Sequence, residues 1–556
     1  MTSTTQNAGM FSGAFFNSRI TSANVQNRER WLGFFLGPAL VATVNGFCGG
    51  GYLNMFYTDV LKMSALGGGL FLTMMPIISK ILDAITNIVM GRIIDRTRSR
   101  QGKVRPWILI SGPLLVVSVI LLFTIPRAGM NVQAIWVMVS YNLYFCIAYT
   151  MFNISNVLMV PLSTRNMKQR DGLAMFATVG ANQISGAFSA LFFPMVLLPL
   201  MGADQEKWIT VMSVVAILAL PGVALQYYFS RERVTEEANV SGMETASHSL
   251  TAQMKGCLSS KYWRLIIAWL TIVNIVLTYQ LTAILYYCNW VLGTYNDGRT
   301  LATLNVIGQG PLGIGVFLLW PMVRKFGKRN CMLMGTVVVI IGSIICLFNP
   351  RSLNILLMGM AIKSIGLLPS TYTGTAMLAD SLDHVEWKNG FRCDGFSASV
   401  YSIILTVGIG IGIGLFNLGL GRVGYIPPAA DGSWVPQNSG TQNFFIFGMF
   451  GLTIICNVIY LVIFTFYTVE KELPKIRTDI TARLKAEAEA RGEAFVSVEE
   501  KAKAEQEEQE RVAELKRIEE LKAKCARKGL SFETEEAKYQ AKLAAKAARA
   551  KVKKHV

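Results

Sequence analysis

The chain has 556 residues, of which 52% are apolar and 16% charged, and its mean hydropathy is +0.40. One soluble core cannot bury this much apolar surface, so the composition excludes a single soluble globular domain and indicates a membrane protein. The formal net charge is +18, but the cations lie in short loops between apolar runs and near the C-terminus. This distribution is typical of membrane topology rather than of a nucleic-acid surface, and no nucleic-acid partner is predicted.

Twelve apolar stretches are each long enough to cross the hydrocarbon core of a bilayer as a helix, which takes about 20 residues. In chain order they lie at 32–57, 66–90, 107–125, 134–158, 173–200, 208–229, 264–290, 301–322, 331–348, 353–379, 394–421 and 443–468. They predict an all-α membrane protein with two six-helix bundles, a polar loop between them, and a charged helical tail. The segments are 1–30 (polar, with no cleaved signal peptide expected), 31–230 and 263–469 (bundles), 231–262 (loop) and 470–556 (tail).

Lys and Arg residues are concentrated in the loops after the second, fourth and eighth stretches, whereas the alternate loops carry one cation each. The concentrated set is Arg92, Arg96, Arg98, Arg100, Lys103, Arg105, Arg165, Lys168, Arg170, Arg324, Lys325, Lys328 and Arg329. Because cytoplasmic loops carry the excess of Lys and Arg, we expect these loops and both termini in the cytoplasm, with the chain in a bacterial inner membrane. The second and eighth stretches both lead into a basic Gly-Lys loop, which indicates an internal repeat.

A few ionisable residues interrupt the apolar stretches, and each costs about 2.5–3.5 kcal/mol at mid-bilayer on insertion scales. Lys80 and Asp83 are spaced i,i+3, so they share a helix face and can pair. A carboxylate that faces a cavity between bundles can bind Na⁺ or carry a proton, although a structural ion pair would explain the spacing too. Lys363 is the other deep charge.

The chain lacks the motifs of ATP hydrolysis and of common enzymes. It has no GxxxxGK[ST] loop, and its three histidines lie outside the predicted spans. The nine cysteines show no CxxC spacing, so neither a metal site nor a disulfide framework is expected. The sequence therefore predicts a secondary transporter rather than an enzyme, with no cofactor other than a coupling ion, H⁺ or Na⁺.

Three segments carry a family resemblance: "DAITNIVMGRIIDRTRSRQGKVRPW" at 83–107, "YTMFNISNVLMVPLST" at 149–164 and "LADSLDHVEWKNGFRCDGFSASV" at 378–400. They resemble the signature segments of the glycoside-pentoside-hexuronide:cation symporters, the melibiose-permease family of the major facilitator superfamily. The resemblance implies the major facilitator fold and cation-coupled uptake of a sugar or glycoside, with coupling acids on the second and fourth helices.

Position by position, the resemblance implies two sets of site residues. The cation-coupling positions are Asp83, Asn87, Asn153 and Thr43, and the substrate-binding positions are Lys80, Tyr149, Asn153, Thr178, Thr371 and Thr406. Only Asp83 is an acid where the sodium-using relatives have several carboxylates, which favours H⁺ over Na⁺ because a hard cation prefers several anionic oxygens. Most melibiose contacts are replaced, so melibiose itself is not implied.

Charged residues near the predicted cytoplasmic ends are expected to join the two bundles and to stabilise one of the two open states. They are Asp95, Arg96, Asp383, Glu386 and Arg392.

The leading prediction is symport of a sugar, glycoside or glycoconjugate by alternating access. Transport of a non-sugar organic solute on the same scaffold, and a sensor or scaffold that acts through the tail, are the alternatives. The tail ends in "KYQAKLAAKAARAKVKKHV", which has no acidic residue and could contact anionic lipid or a cytoplasmic partner.

Overall fold

The computed structural model describes residues 16–22, 24–99, 101–164, 166–234, 249–294, 298–391, 393–429 and 433–490, and parts of 508–540. Within these residues every regular element is a helix. The chain forms two compact units, Met1–Ile480 and Thr481–Val556.

Among the described residues of the first unit, twelve long helices form the two halves of the bundle. The N-terminal half contains α1 (Glu29–Val60), α2 (Leu70–Arg96), α3 (Arg105–Phe123), α4 (Met130–Ser163), α5 (Gly172–Met201) and α6 (Gln205–Tyr228). The C-terminal half contains α7 (Lys261–Trp290), α8 (Gly298–Phe326), α9 (Lys328–Phe348), α10 (Leu353–Asn389), α11 (Asp394–Arg422) and α12 (439–466).

Ten helical stretches of the described residues are long and apolar enough to cross a membrane. They coincide with ten of the twelve predicted spans. The other two predicted spans, 66–90 and 301–322, fall on α2 and α8, which have 27 and 29 residues.

The basic loops before α3 and α9 are built in the same way. The Glu232 carboxylate accepts hydrogen bonds from the backbone N–H groups of Lys103 (2.8 Å), Val104 (2.8 Å) and Arg105 (2.9 Å). These are groups that the first turn of a helix leaves without an intrahelical partner, so Glu232 caps the start of α3.

In the C-terminal half, the carboxylate of Glu470 accepts from the N–H groups of Lys328 (2.8 Å) and Arg329 (3.1 Å) at the start of α9. A glycine at positive φ precedes each cap, Gly102 at 106° and Gly327 at 80°. A Cβ atom would lie 2.3 Å from Glu232 and 2.9 Å from Glu470, so both positions require glycine.

An arginine at each of these helix starts also binds the last helix of its own half. Arg105 donates from Nε and Nη2 to the carbonyl oxygen of Tyr227 at the end of α6, at 3.2 and 2.9 Å. Arg329 donates to the carbonyl oxygens of Phe464 (2.8 Å) and Thr465 (2.9 Å) at the end of α12. The repeated Gly-Lys loops of the sequence therefore fix the third helix of each half to its sixth.

The predicted central loop, 231–262, is partly described. Its first residues pack on the N-terminal half, where Arg233 forms a two-pronged ion pair with the fully buried Glu29, at 3.0 and 2.9 Å. Residues 235–248 lie outside the described part, and a short helix, Leu250–Ser259, precedes α7.

The two halves meet where backbone approaches backbone at glycines. A Cβ on Gly410 of α11 would lie 2.6 Å from the Pro76 carbonyl oxygen of α2, and one on Gly414 would lie 2.7 Å from that of Thr73. Likewise Gly51 of α1 lies against α7. These contacts involve the first residues of α2 and the last part of α11, so they hold the halves together at one end of the bundle, called here the closed end.

After α12 the helix Val469–Ala490 begins. In the second unit, Arg517 pairs with Glu514 and Glu536, both at 2.6 Å, and lies over the ring of Tyr539. The described residues between 508 and 540 lie mostly in helices, and the extent and location of the tail stay predictions.

Candidate coupling and substrate site

Asp83 lies on α2, is 8% exposed, and accepts hydrogen bonds from three different side chains. Its Oδ2 atom lies 3.1 Å from Lys80 Nζ, one turn earlier on the same helix. Its Oδ1 atom accepts from Thr150 Oγ1 at 2.7 Å and from Asn87 Nδ2 at 3.1 Å. The carboxylate is therefore buried between α2 and α4 with a cation and two neutral donors around it.

The Lys80 ammonium group is held from two sides. Besides Asp83, it faces the ring of Phe145 on α4 at 5.1 Å from the ring centroid, a cation–π contact. Burial of a charged pair costs several kcal/mol in desolvation, and it is tolerated when hydrogen bonds satisfy the remaining polar atoms. Thr150, Asn87 and Phe145 provide that surrounding here.

A small cavity lies next to this pair, between the two halves. Its lining comes from α1, α2, α4 and α11, including Asn54, Tyr57, Tyr141, Phe145 and Asn417. Phe145 thus lines the cavity and also contacts the Lys80 ammonium. In this conformation the cavity volume is about 30 Å³, so a sugar could enter only after the cavity widens.

The structure brings together three of the residues predicted for the site, Lys80, Asp83 and Asn87. Thr150 was missed, because a threonine in an apolar helix carries no signal in a single sequence. Of the remaining predicted coupling residues, Thr43 is buried on α1, where its hydroxyl donates to the Ala39 carbonyl oxygen at 2.8 Å.

The other predicted contacts are spread over the helices. Tyr149 is half-buried and stacks on Tyr144 at a centroid distance of 6.2 Å, whereas Asn153, one turn further along α4, is exposed. Thr178 of α5 and Thr371 of α10 are also exposed, and Thr406 of α11 is half-buried. In this conformation these residues do not join the hydrogen-bond cluster around Asp83.

Lys363 of α10 is a buried ammonium group in the C-terminal half. It donates to Gln280 Oε1 of α7 at 3.1 Å and to Thr453 Oγ1 of α12 at 3.5 Å. Gln280 also donates to Thr453. Within the described residues Lys363 has no carboxylate partner.

Of the residues predicted to join the bundles, Asp383 contacts a residue of its own half here. Asp383 accepts from Arg477 Nε and Nη2 at 3.2 and 3.1 Å, and its neighbour Asp380 pairs with Lys328 at 2.5 Å. These contacts attach the helix that follows α12 to α10 and α9.

The remaining predicted bundle-joining residues lie near the ends of α2 and α10 or outside the described residues. Asp95 and Arg96 at the end of α2 are exposed and form no ion pair with another described residue. Glu386 is half-buried on α10, and Arg392 lies outside the described residues. Their role in the other conformation stays a prediction.

Comparison with known proteins identifies the scaffold. A family model described as MFS/sugar transport protein matches residues 34–471. The isoprimeverose transporter of Lactiplantibacillus pentosus is 27% identical over 77% of this chain and 86% of that protein. The inner membrane symporter YicJ of Escherichia coli (strain K12) is 28% identical over 71% of this chain and 82% of its own length.

Among solved structures, a bacterial homologue of the human lysosomal transporter Spinster, in an inward-facing and occupied conformation, aligns with a TM-score of 0.52 at 14% identity. The alignment covers 79% of this chain and 97% of that one. At this identity the likeness shows the fold alone.

These matches confirm the predicted relation to the sugar symporters and the prediction that the chain is a transporter and not an enzyme. Because the family model covers most of the chain, the protein belongs to the MFS/sugar transport protein family and is a multi-pass membrane transporter.

Proposed function

We propose that this protein imports a sugar, glycoside or glycoconjugate together with a proton, by alternating access of a site between its two halves. The observation that carries the proposal is the buried Asp83 carboxylate, which pairs with Lys80 beside a cavity between the halves. The names of the relatives support the solute class, since they include an isoprimeverose transporter and a symporter.

The surroundings of Asp83 favour a proton over Na⁺. Both carboxylate oxygens already accept from hydrogen-bond donors, namely Lys80, Asn87 and Thr150. A proton needs one oxygen, whereas a hard metal cation requires several oxygen ligands at once. The ammonium group of Lys80 would also repel a metal cation at this place.

Proton and solute binding would be coupled because the Asp83 carboxylate and the solute hydroxyls compete for the Lys80 ammonium group. A proton on Asp83 neutralises the carboxylate and weakens its attraction to Lys80. The ammonium group can then donate hydrogen bonds to solute hydroxyls, so solute binds better when Asp83 is protonated. Such reciprocal affinity is what thermodynamic coupling of the two ligands requires.

In the membrane we propose twelve spans, α1 to α12, with the basic loops and both termini in the cytoplasm of a bacterial inner membrane. In this orientation the closed end faces outward. The conformation described here would then be inward-facing, with Asp95 and Arg96 exposed at the cytoplasmic end.

Uptake into energised vesicles tests the coupling role. Asp83→Asn keeps the shape of the side chain and removes its charge, so we expect loss of uphill accumulation while downhill exchange continues. A panel of glycosides in Na⁺-free and Na⁺-containing buffer identifies the solute and the ion in the same assay.

The matched control is Asp380→Asn, which neutralises a buried acid that pairs with Lys328 outside this site. Its steady-state accumulation should equal that of the parent, even if uptake is slower. Equal accumulation by Asp83→Asn and the parent would refute the coupling role, and accumulation that needs Na⁺ would refute proton coupling.

Non-sugar organic solutes added to the panel test the alternative solute class, which exchange of such a compound and of no glycoside would support. A sensor or scaffold that acts through the tail is tested by truncation after residue 480, which retains Glu470 and Arg477 with their contacts. Uptake that is unchanged by this truncation argues against a sensor or scaffold role of the tail. The same conclusion follows if the truncated protein keeps the cytoplasmic binding partners of the full-length protein.

A further inference from the structure

A buried polar network crosses between the two halves at the closed end, about the carboxyl group of Asp59. Asp59 is the second-last residue of α1 and is 1% exposed. Its Oδ1 atom accepts from Thr58 Oγ1 at 2.7 Å and from the hydroxyl of Tyr425, which follows α11, at 2.8 Å.

The network extends from Asp59 through both halves. The Tyr286 hydroxyl of α7 lies 2.7 Å from Thr58 Oγ1 and accepts from Asn54 Nδ2 at 2.8 Å. Asn417 of α11 donates to Asn54 Oδ1 at 2.8 Å and to the Leu72 carbonyl oxygen of α2 at 2.9 Å. Every hydrogen bond between Tyr286, Tyr425 or Asn417 and the N-terminal half must break when this end opens.

Asp59 differs from Asp83 in having no compensating cation. Its Oδ2 atom has no hydrogen-bond partner among the described residues, and none of their cations lies within ion-pair distance of it. The titratable groups that face it are the phenols of Tyr286 and Tyr425, and the nearby charged residues Lys62 and Arg422 are exposed.

A carboxylate buried without a cation is strongly disfavoured relative to the neutral acid, which can donate from the oxygen that otherwise has no partner. Burial raises the pKa of the Tyr425 phenol well above its usual range, so this hydroxyl stays protonated and continues to donate. Opening of this end would expose Asp59 to water, where the charged form is stable.

We propose that Asp59 is a second proton-binding site, and that the end of the transporter containing it closes only when the Asp59 carboxyl is neutral. The physiological role of this site rests on the proton-coupled transport proposed above. The proton binds from the outer solution while this end is open, and it is held inside the network while this end is closed. It returns to the same side on reopening.

The Asp59 proton is therefore a gating proton and is not carried across. It adds a dependence on outer pH without changing the number of protons moved with each solute, which Asp83 would set. The two acids can therefore be distinguished by experiment, since Asp59 would set the dependence on outer pH and Asp83 the number of protons moved with each solute.

The test measures opening of this end in the full-length protein without solute or gradient. Spin labels are attached to cysteines introduced at Met130 and Phe348, exposed residues on opposite halves at this end. The native cysteines are all buried. The distance distribution between the labels is measured from about pH 5 to about pH 9.

In the parent, the ratio of open to closed molecules should rise with pH, by at most about tenfold per pH unit for one proton. Asp59→Asn mimics the neutral acid, so this end should stay closed with less than about a twofold change over the range. Asp59→Ser serves if the amide variant does not fold, with the same expectation.

Two further variants complete the test. Tyr425→Phe keeps the acid and removes one hydrogen bond, so the pH dependence should remain while the closed fraction falls at every pH. Asp380→Asn, which neutralises a buried acid paired with Lys328 outside this network, should keep the pH dependence of the parent.

A parent ratio that does not vary with pH would overturn the proposal, as would parent-like pH dependence in Asp59→Asn or its loss in Asp380→Asn. Because no transport is measured, these outcomes are independent of whether uptake is driven by protons.

Discussion

Lys80 in the N-terminal half and Lys363 in the C-terminal half are both ammonium groups buried on long apolar helices. Lys80 pairs with Asp83 at 3.1 Å, whereas Lys363 donates to the neutral Gln280 and Thr453. The two halves share their capped basic loops but not this ionic arrangement. Among the described residues, the repeat therefore preserves the framework but not the pairing of the deeply buried lysine with a carboxylate.

The largest expected effect comes from breaking the buried pair. Asp83→Leu leaves the Lys80 charge buried without a counter-ion, which should lower the free energy of unfolding by about 3–5 kcal/mol. Denaturant unfolding of the purified protein in detergent measures it.

The double variant Lys80→Met with Asp83→Leu removes both charges and should recover most of that loss. If the double variant is as unstable as Asp83→Leu alone, the pair is not the cause.

A smaller effect is expected at the two helix caps. Glu232 accepts from three backbone N–H groups and is 3% exposed, whereas Glu470 accepts from two. Replacement by alanine should cost about 2 kcal/mol at Glu232 and about 1 kcal/mol at Glu470. The measurement is the unfolding free energy of each variant, and a larger loss for Glu470→Ala would contradict the structural comparison.

The smallest effect is expected for Lys363→Met. The substitution removes a buried charge that has no carboxylate partner among the described residues, and Gln280 and Thr453 keep their mutual hydrogen bond. The unfolding free energy should change by less than about 1 kcal/mol, with equal or higher stability. A loss as large as that of Asp83→Leu would show that Lys363 has an essential partner.

Much of the fold follows from the sequence because apolar length and loop charge are local signals. The predicted spans coincide with the long helices, and the i,i+3 spacing of Lys80 and Asp83 does produce an ion pair. The repeated Gly-Lys loops were recognised as a repeat, but their chemistry was not. Glu232 and Glu470 lie far along the sequence from the starts of α3 and α9, which they cap. No local sequence pattern identifies them as caps.

The site was harder to predict for the same reason. Thr150 contacts Asp83 only because α4 packs on α2, and Asp59 looks like an ordinary polar residue at a span end. The resemblance marked Asn153, Thr178 and Thr371, which are exposed in this conformation. A family pattern does not record the conformational state in which its residues meet.

The glycines of α11 affect how tightly the two halves seal the closed end against ions. Gly410 and Gly414 let the backbone of α11 approach the backbone carbonyl groups of Pro76 and Thr73 on α2, with the Ile77 side chain packed beside them. A transporter that uses an ion gradient must not leak ions when it is idle, since leakage dissipates the gradient. Close backbone approach leaves little room for water at these two positions, and it can separate with few interdigitated side chains to move. Glycine at these positions is therefore compatible with a barrier that both blocks ions and opens readily.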